Sequence, residues 1–129
     1  MIAQNYPLEA SCNRKIPSGG HDKACWLAKL AICAQKQNHY WEVHEWIFEN
    51  QERANQITTQ EVAKAYSLDA TALDQCILDS STSQALSEQI ERGIAGNIQG
   101  TPTVFANGKI LPGGFLPTVL KAALKEASK

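Results

Sequence analysis

"QGTPTVFANGKILPGG", residues 99–114, is the stretch whose reading decides the fold. Two apolar runs flank Asn107-Gly108, a dipeptide suited to the left-handed positions of a type I′ turn, so the spacing predicts a two-stranded hairpin. Pro102 stands at the entrance of the first strand. Proline has no N–H to give to a ladder, and a strand entry is one of the few sheet positions that tolerate it. An X-Pro bond also reaches cis far more easily than other peptide bonds. A cis Thr101-Pro102 bond would leave the Thr101 backbone unpaired and facing out, an edge on which an extended peptide can lie as an added strand. The plainer reading is that Pro102 only shapes a tight strand entry.

Outward from the hairpin, helical spacing dominates. Leu27, Leu30, Ala31 and Ala34 recur at i, i+3, i+4, i+7 and predict a helix over 23–37. Trp41, His44, Ile47 and Phe48 mark the face of a second helix over 40–50, with Val43 and Trp46 alongside. Thr58 followed by Glu61 has the form of a capping box, with a helix running to about residue 66. Asp69 is the next N-cap candidate, and Leu73, Cys76 and Ile77 form the apolar side of that helix. Ser81 or Thr82 opens a further helix to about residue 95, ended by Gly96 and Asn97. A final helix is entered at Pro117 and buries Val119, Leu120, Ala123 and Leu124. Upstream, residues 2–6 are a strand candidate closed by Pro7, and residues 8–22 a loop broken by Pro17 and Ser18-Gly19-Gly20. The order is strand, helices, hairpin, helix, an α/β layer pattern with helices inserted after the first strand.

The 129 residues suit one domain, and 43% hydrophobic with 19% charged residues is an ordinary globular composition. A net charge of −1 with no basic stripe points away from nucleic acid as a partner. No apolar run approaches the ~20 residues of a membrane span. The opening "MIAQNYPLEA" lacks the basic and apolar regions of a signal peptide, which implies a cytoplasmic chain if Met1 is the true start. No P-loop, dinucleotide glycine pattern or Ser/His/Asp order is present. Cys12, His21 and Cys25 do not match the tight cysteine pairs of zinc sites, so no metal and no other cofactor is expected. His44, on an aromatic face, reads as a hydrogen-bonded core residue.

"GNIQGTPTVFANGKI" resembles the cis-proline hairpin of the thioredoxin superfamily in its DsbA-like branch. "CWLAKLAICAQKQNHYWEVHEWIFENQ" and "LDQCILDS" resemble lines of that branch's helical insert, here about residues 23–95. "QNYPLEASCN" looks like its second strand and following loop, most closely in the thioredoxin-like domains fused to vitamin K epoxide reductase homologues. The resemblance implies one thioredoxin-like domain over 1–129, with the hairpin and last helix over 99–128. It also implies that Thr101 and Pro102 hold the substrate segment beside a reactive dithiol.

That dithiol, a Cys-x-x-Cys at a helix start, is absent from this sequence. In the family it is carried by a strand-helix unit whose strand lies mid-sheet, and the chain begins at the strand that should follow. Loss of that strand would expose two sheet edges, which invite other chains. Truncation or a partner-supplied strand is preferred over closure of the remaining strands into a smaller sheet.

Four cysteines remain: Cys12, Cys25, Cys33 and Cys76. Cys25 and Cys33 are eight positions apart, ~12 Å along a helix. That exceeds the roughly 7 Å Cα limit of a disulfide. Cys12, in the loop, reaches the helix start, so a Cys12–Cys25 bridge is predicted; two free thiols in a reducing compartment are the alternative. Cys33 and Cys76 read as small buried hydrophobes, with a bridge between packed helices as the alternative.

The expected function is therefore that of a DsbA-like thiol:disulfide oxidoreductase domain, inactive alone without its dithiol. The rival is a non-catalytic peptide-binding or protein-interaction module. Expected partners are cysteine-containing proteins or peptides, a redox partner protein, and a second copy joined through open sheet edges. The resemblance places such a domain in the periplasm or otherwise outside the cytoplasm.

Overall fold

A computed structural model describes residues 3–20, 23–98, 105–106 and 109–110 of the chain. The chain divides into two compact units, Met1–Ile94 and Ala95–Lys129.

In the first unit, helix α1 spans Ala24–Gln35 and lies between two apolar clusters. Leu30, Cys33 and Ala34 enter the larger cluster with Val43, Ile57, Val62, Leu73 and Ile77. Ala28 faces the smaller one, with Leu86 and Ile90. The predicted stripe of Leu30, Ala31 and Ala34 is buried, and small residues on the other side let a second cluster close on the same helix. Gln37, just past α1, accepts from Asp69 N–H at 2.9 Å through Oε1 and ties this end to the next cap.

Helix α2, Tyr40–Glu49, packs on α1. Its buried side is Tyr40 and Val43, with Trp46 and Ile47 against the larger cluster. Trp41 and Phe48, expected on the buried face, are 49% and 58% exposed. The buried side of α2 is thus centred on Tyr40 and Val43, which joins the larger cluster, rather than on Trp41 and Phe48. A 3₁₀ segment, Gln51–Gln56, follows and was not foreseen. Arg53 in it donates to Asn50 Oδ1 at 3.0 Å and to Glu61 Oε2 at 2.6 Å.

Helix α3, Thr59–Tyr66, begins as the capping-box pattern predicts. Thr58 Oγ1 accepts from Glu61 N–H at 3.3 Å. The Glu61 carboxyl is held below the usual range by Arg53, with a contribution from the Thr58 backbone N–H. Helix α4, Ala70–Leu78, is capped by Asp69, which accepts from Ala72 N–H at 3.0 Å. It buries Leu73 and Ile77 as expected. Helix α5, Ser80–Ala95, buries Thr82, Leu86, Ile90 and Gly93. It starts at Ser80 rather than Ser81 or Thr82, because Asp79 accepts from Ser81 N–H at 2.8 Å. Past its end, Asn97 adopts φ 57°, the left-handed conformation expected after a helix.

The strand expected over 2–6 is not formed in residues 3–6, which have no regular structure. The Asn5 backbone N–H, which a ladder would use, donates instead to Gln89 Oε1 of α5 at 2.8 Å. Arg92 of α5 likewise donates to Gln4 Oε1 at 2.8 Å. The loop after Pro7 is tightly organised. Asn13 is fully buried; its Nδ2 donates to Pro7 O at 2.9 Å and its Oδ1 accepts from Lys15 N–H at 3.0 Å.

In the second unit, strands β1, Phe105–Ala106, and β2, Lys109–Ile110, pair antiparallel. Phe105 faces Ile110 and Ala106 faces Lys109, leaving a two-residue connection at Asn107-Gly108, as the hairpin reading requires. The described residues carry this one strand pair and are otherwise mostly helical. Thr101, Pro102, His21 and the final helix lie outside the described residues.

Candidate functional site

The chemistry-bearing residues of the described chain gather at the two ends of α1. At its start, Lys23 stands at φ 67° and offers no side-chain cap. The cap comes from the loop, where Glu9 Oε1 accepts from Cys25 N–H at 2.9 Å. Glu9 Oε2 accepts from the Ser11 hydroxyl at 2.5 Å. The Cys25 N–H, then the Ser11 hydroxyl, hold the Glu9 carboxyl below its usual range against a smaller opposing effect of burial. A carboxylate at a helix start also complements the helix dipole.

Cys12 and Cys25 are joined there by a disulfide, with Cα atoms 6.1 Å apart. Ser11 Oγ lies 3.3 Å from Cys25 Sγ. Cys25 is 8% exposed and Cys12 is half-buried. Glu9 escaped the sequence reading because it stands far upstream of the helix it caps, where no local pattern connects the two.

Near the other end of α1, Cys33 and Cys76 are also bonded, with Cα atoms 5.8 Å apart. This corrects their reading as buried hydrophobes. Both lie on apolar faces, as that reading had it, but α1 packs on α4 and brings the two faces within bonding distance. All four cysteines are thus paired and none is free. Among the described residues, no group of histidine, cysteine and carboxylate side chains is arranged to hold a metal ion.

A groove of about 300 Å³ opens between the N-terminal segment, α1, α2 and α5. Asn5, Ile32, Tyr40, Trp41 and Gln89 line it. Tyr40 is its titratable group, and burial pushes the phenol upward, partly opposed by a hydrogen bond with Asn5. This lining can bind an apolar group and satisfy an amide, and it offers no acid–base pair. His44, outside the groove, stacks with Phe48 at 4.8 Å and Tyr40 at 5.6 Å between ring centroids. Burial pushes its imidazole below the usual range.

The class of fold is given by a family match, since a DSBA-like thioredoxin domain fits a thioredoxin-like fold. The chain belongs to the DSBA-like thioredoxin domain family, which it matches over residues 3–125. This is a family of thiol:disulfide oxidoreductases. Among curated proteins, the chain is 24% identical over 107 residues to "Na(+)/H(+) antiporter NhaA 3" of Salinispora tropica. It is 25% identical over 107 residues to "Na(+)/H(+) antiporter NhaA 1" of Salinispora arenicola. Each match covers 83% of this chain and 16% of the relative, so the chain spans about one sixth of the length of these proteins. No solved structure matches the chain. Among the described residues, no helix is long and apolar enough to cross a membrane.

Proposed function

We propose that this chain is the peptide-holding body of a DsbA-like thiol:disulfide oxidoreductase. Cysteine-containing proteins or peptides are its clients, and Thr101 and Pro102 are the residues that hold them. The observation that carries this reading is the β1–β2 hairpin, which follows directly on Thr101-Pro102 within a family match that spans nearly the whole chain. A peptide laid along the Thr101 backbone would gain main-chain hydrogen bonds without sequence specificity, the requirement of a protein that serves many clients.

The sequence contains no Cys-x-x-Cys, and its four cysteines are engaged in two bridges. The chain therefore does not turn over dithiols on its own, and it acts with a catalytic dithiol supplied by a longer polypeptide or a redox partner protein. In this reading residues 1–129 form one thioredoxin-like α/β domain. Two disulfides favour a location outside the reducing cytoplasm. The segment "QNYPLEASCN" supports kinship with the domains fused to vitamin K epoxide reductase homologues. The pairing of all four cysteines equally favours the second reading, a non-catalytic peptide-binding module, in which open sheet edges join two copies.

Three measurements test this. Insulin reduction by the 129-residue chain should stay at the uncatalysed rate. Titration with an extended cysteine-containing peptide should show binding that weakens by about tenfold in Pro102→Ala and Thr101→Pro, ~1.4 kcal/mol. Unchanged peptide affinity in both variants would remove the hairpin from the function. Dithiol turnover by the chain alone would overturn the need for a partner. Solution mass distinguishes a monomer from a dimer formed through sheet edges.

A further inference from the structure

Helix α2 presents two unlike stripes on its outer side. Trp41, His44 and Phe48 recur at i, i+3, i+7 along Tyr40–Glu49 and make an aromatic ledge. Ring centroids are 5.7 Å apart between Trp41 and His44 and 4.8 Å between His44 and Phe48. Trp41 and Phe48 are exposed, so the ledge offers apolar area to water. At its Trp41 end it meets the groove lined by Ile32, Tyr40 and Gln89.

Glu42, Glu45 and Glu49 follow these three residues by one position each and form a parallel acidic row, exposed throughout. Residues 40–52 hold four glutamates and no lysine or arginine. Ion pairs among the described residues are Arg14–Glu91, Arg53–Glu61 and Arg92–Glu88, so none answers this row. Its charge is felt at Tyr66, whose phenol is pushed up by burial and then by Glu49, Glu45 and Glu42. The arrangement works against the free helix. Like charges three and four residues apart repel along one face. Glu49 adds negative charge at the end where backbone carbonyls already concentrate it, and no basic residue stands in the last turn.

From this pairing of stripes we propose that the outer side of α2 is a docking surface for a basic amphipathic helix of a partner protein. Apolar side chains of the partner, repeating every three or four residues, lie on Trp41 and Phe48, and one of them enters the groove. Lysines or arginines beside them stand over Glu42, Glu45 and Glu49. Charge complementarity selects this occupant. A second copy of the chain would bring another uncompensated acidic row to the contact, and an anionic lipid surface would be repelled. A purely apolar segment would strip water from the carboxylates without replacing it. The aromatic anchors carry most of the affinity, and the glutamates set register and speed encounter. The surface lies wholly within the first unit and does not rest on the hairpin reading.

The probe is a synthetic helical peptide with leucines at i, i+4 and i+7 flanked by lysines, followed by fluorescence anisotropy as the full chain is added. One control peptide carries glutamate for every lysine, and another has the same residues in scrambled order. The basic amphipathic peptide should bind saturably, with an affinity that falls as salt rises. Both controls should bind about tenfold more weakly or worse. Amide shift changes in the unaltered chain should centre on α2. Phe48→Ser and the double variant Glu45→Lys/Glu49→Lys should each weaken binding about tenfold or more. The double variant should melt at or above the temperature of the parent chain, because it removes like-charge pairs and sets cations toward the helix end. Absence of saturable binding, equal binding of either control, or shift changes centred away from α2 would each overturn the proposal without any variant. Unchanged binding in Phe48→Ser would overturn it as well. A lower melting temperature in the double variant would assign the acidic row to the fold instead. A dimer of the free chain that Phe48→Ser dissolves would make a second copy the occupant, and the proposal would fall.

Discussion

Thr82 sets its hydroxyl 3.4 Å from Cys76 Sγ and 3.9 Å from Cys33 Sγ. Neither bonded sulfur carries a hydrogen, so Thr82 is the donor, and the first turn of α5 backs the bridge between α1 and α4. Thr82 is 1% exposed, so this shared contact satisfies a buried hydroxyl.

The bridge itself should matter far more than the hydroxyl behind it. Closing a span of 43 residues is worth up to ~4 kcal/mol in the chain-entropy account, against ~3 kcal/mol for the 13-residue span of Cys12–Cys25. Replacing Cys33 and Cys76 together by alanine should therefore destabilise the chain more than the same change at Cys12 and Cys25. Thr82→Val should cost about 1 kcal/mol or less, because a disulfide sulfur is a weak acceptor. Urea unfolding of the three variants gives the order directly.

Gly20 is required by the loop's closure. It stands at φ 97°, and a Cβ there would lie 2.1 Å from Leu8 O, a backbone atom that cannot swing aside. Gly20→Ala should cost about 1–3 kcal/mol. Gly19→Ala is the control: φ is 61° but the space is open, so the loss should be near 1 kcal/mol. Equal losses at the two positions would refute the steric argument.

Acid should weaken the junction between the loop and α1. A carboxylate whose folded pKa lies below its unfolded value contributes stability above the unfolded pKa and loses it as pH falls through the folded one. Glu9 is such a group, so its contribution should fade below about pH 4.5. In Glu9→Gln this part of the acid limb should flatten. Asp79, Glu61 and Glu91 are lowered too, so a residual limb remains. Stability measured from pH 7 down to 2 in both proteins checks the difference.

His44 should shape the mildly acidic range. Burial holds its folded pKa below the usual 6.5, partly opposed by the Glu45 charge. A group that must lose a burial advantage to take its proton destabilises the fold as pH drops below the unfolded value. His44→Phe, keeping the stacking on Phe48 and Tyr40, should remove the fall in stability between about pH 6.5 and 5. An NMR titration should place the His44 midpoint under that of an unstructured histidine.

Local chemistry was legible wherever its partners are close in sequence. Thr58 and Glu61 announce a helix start because the two bonds of a capping box span three residues. Asp69, the stripe of Leu30, Ala31 and Ala34, and the Asn107-Gly108 spacing likewise depend on near neighbours. The pairing of Cys12 with Cys25 followed from reach, since a flexible loop meets a helix start while two turns of helix keep Cys25 from Cys33.

Sequence by itself thus determined the α-helices within residues 24–95, the caps of α3 and α4 and the hairpin register, because backbone hydrogen bonding and short-range periodicity set them. Tertiary structure decided what lay beyond the reach of local pattern. Packing of α2 on α1 buried Tyr40 and Val43 and left Trp41 and Phe48 exposed. Contact between α1 and α4 turned two apparent core residues into the Cys33–Cys76 bridge. The carboxylate of Glu9, far upstream, became the cap of α1, and Gln89 took the backbone donor that a strand would have spent on a ladder. Each of these depends on the distance between segments remote along the chain, a quantity that packing sets and residue order does not reveal.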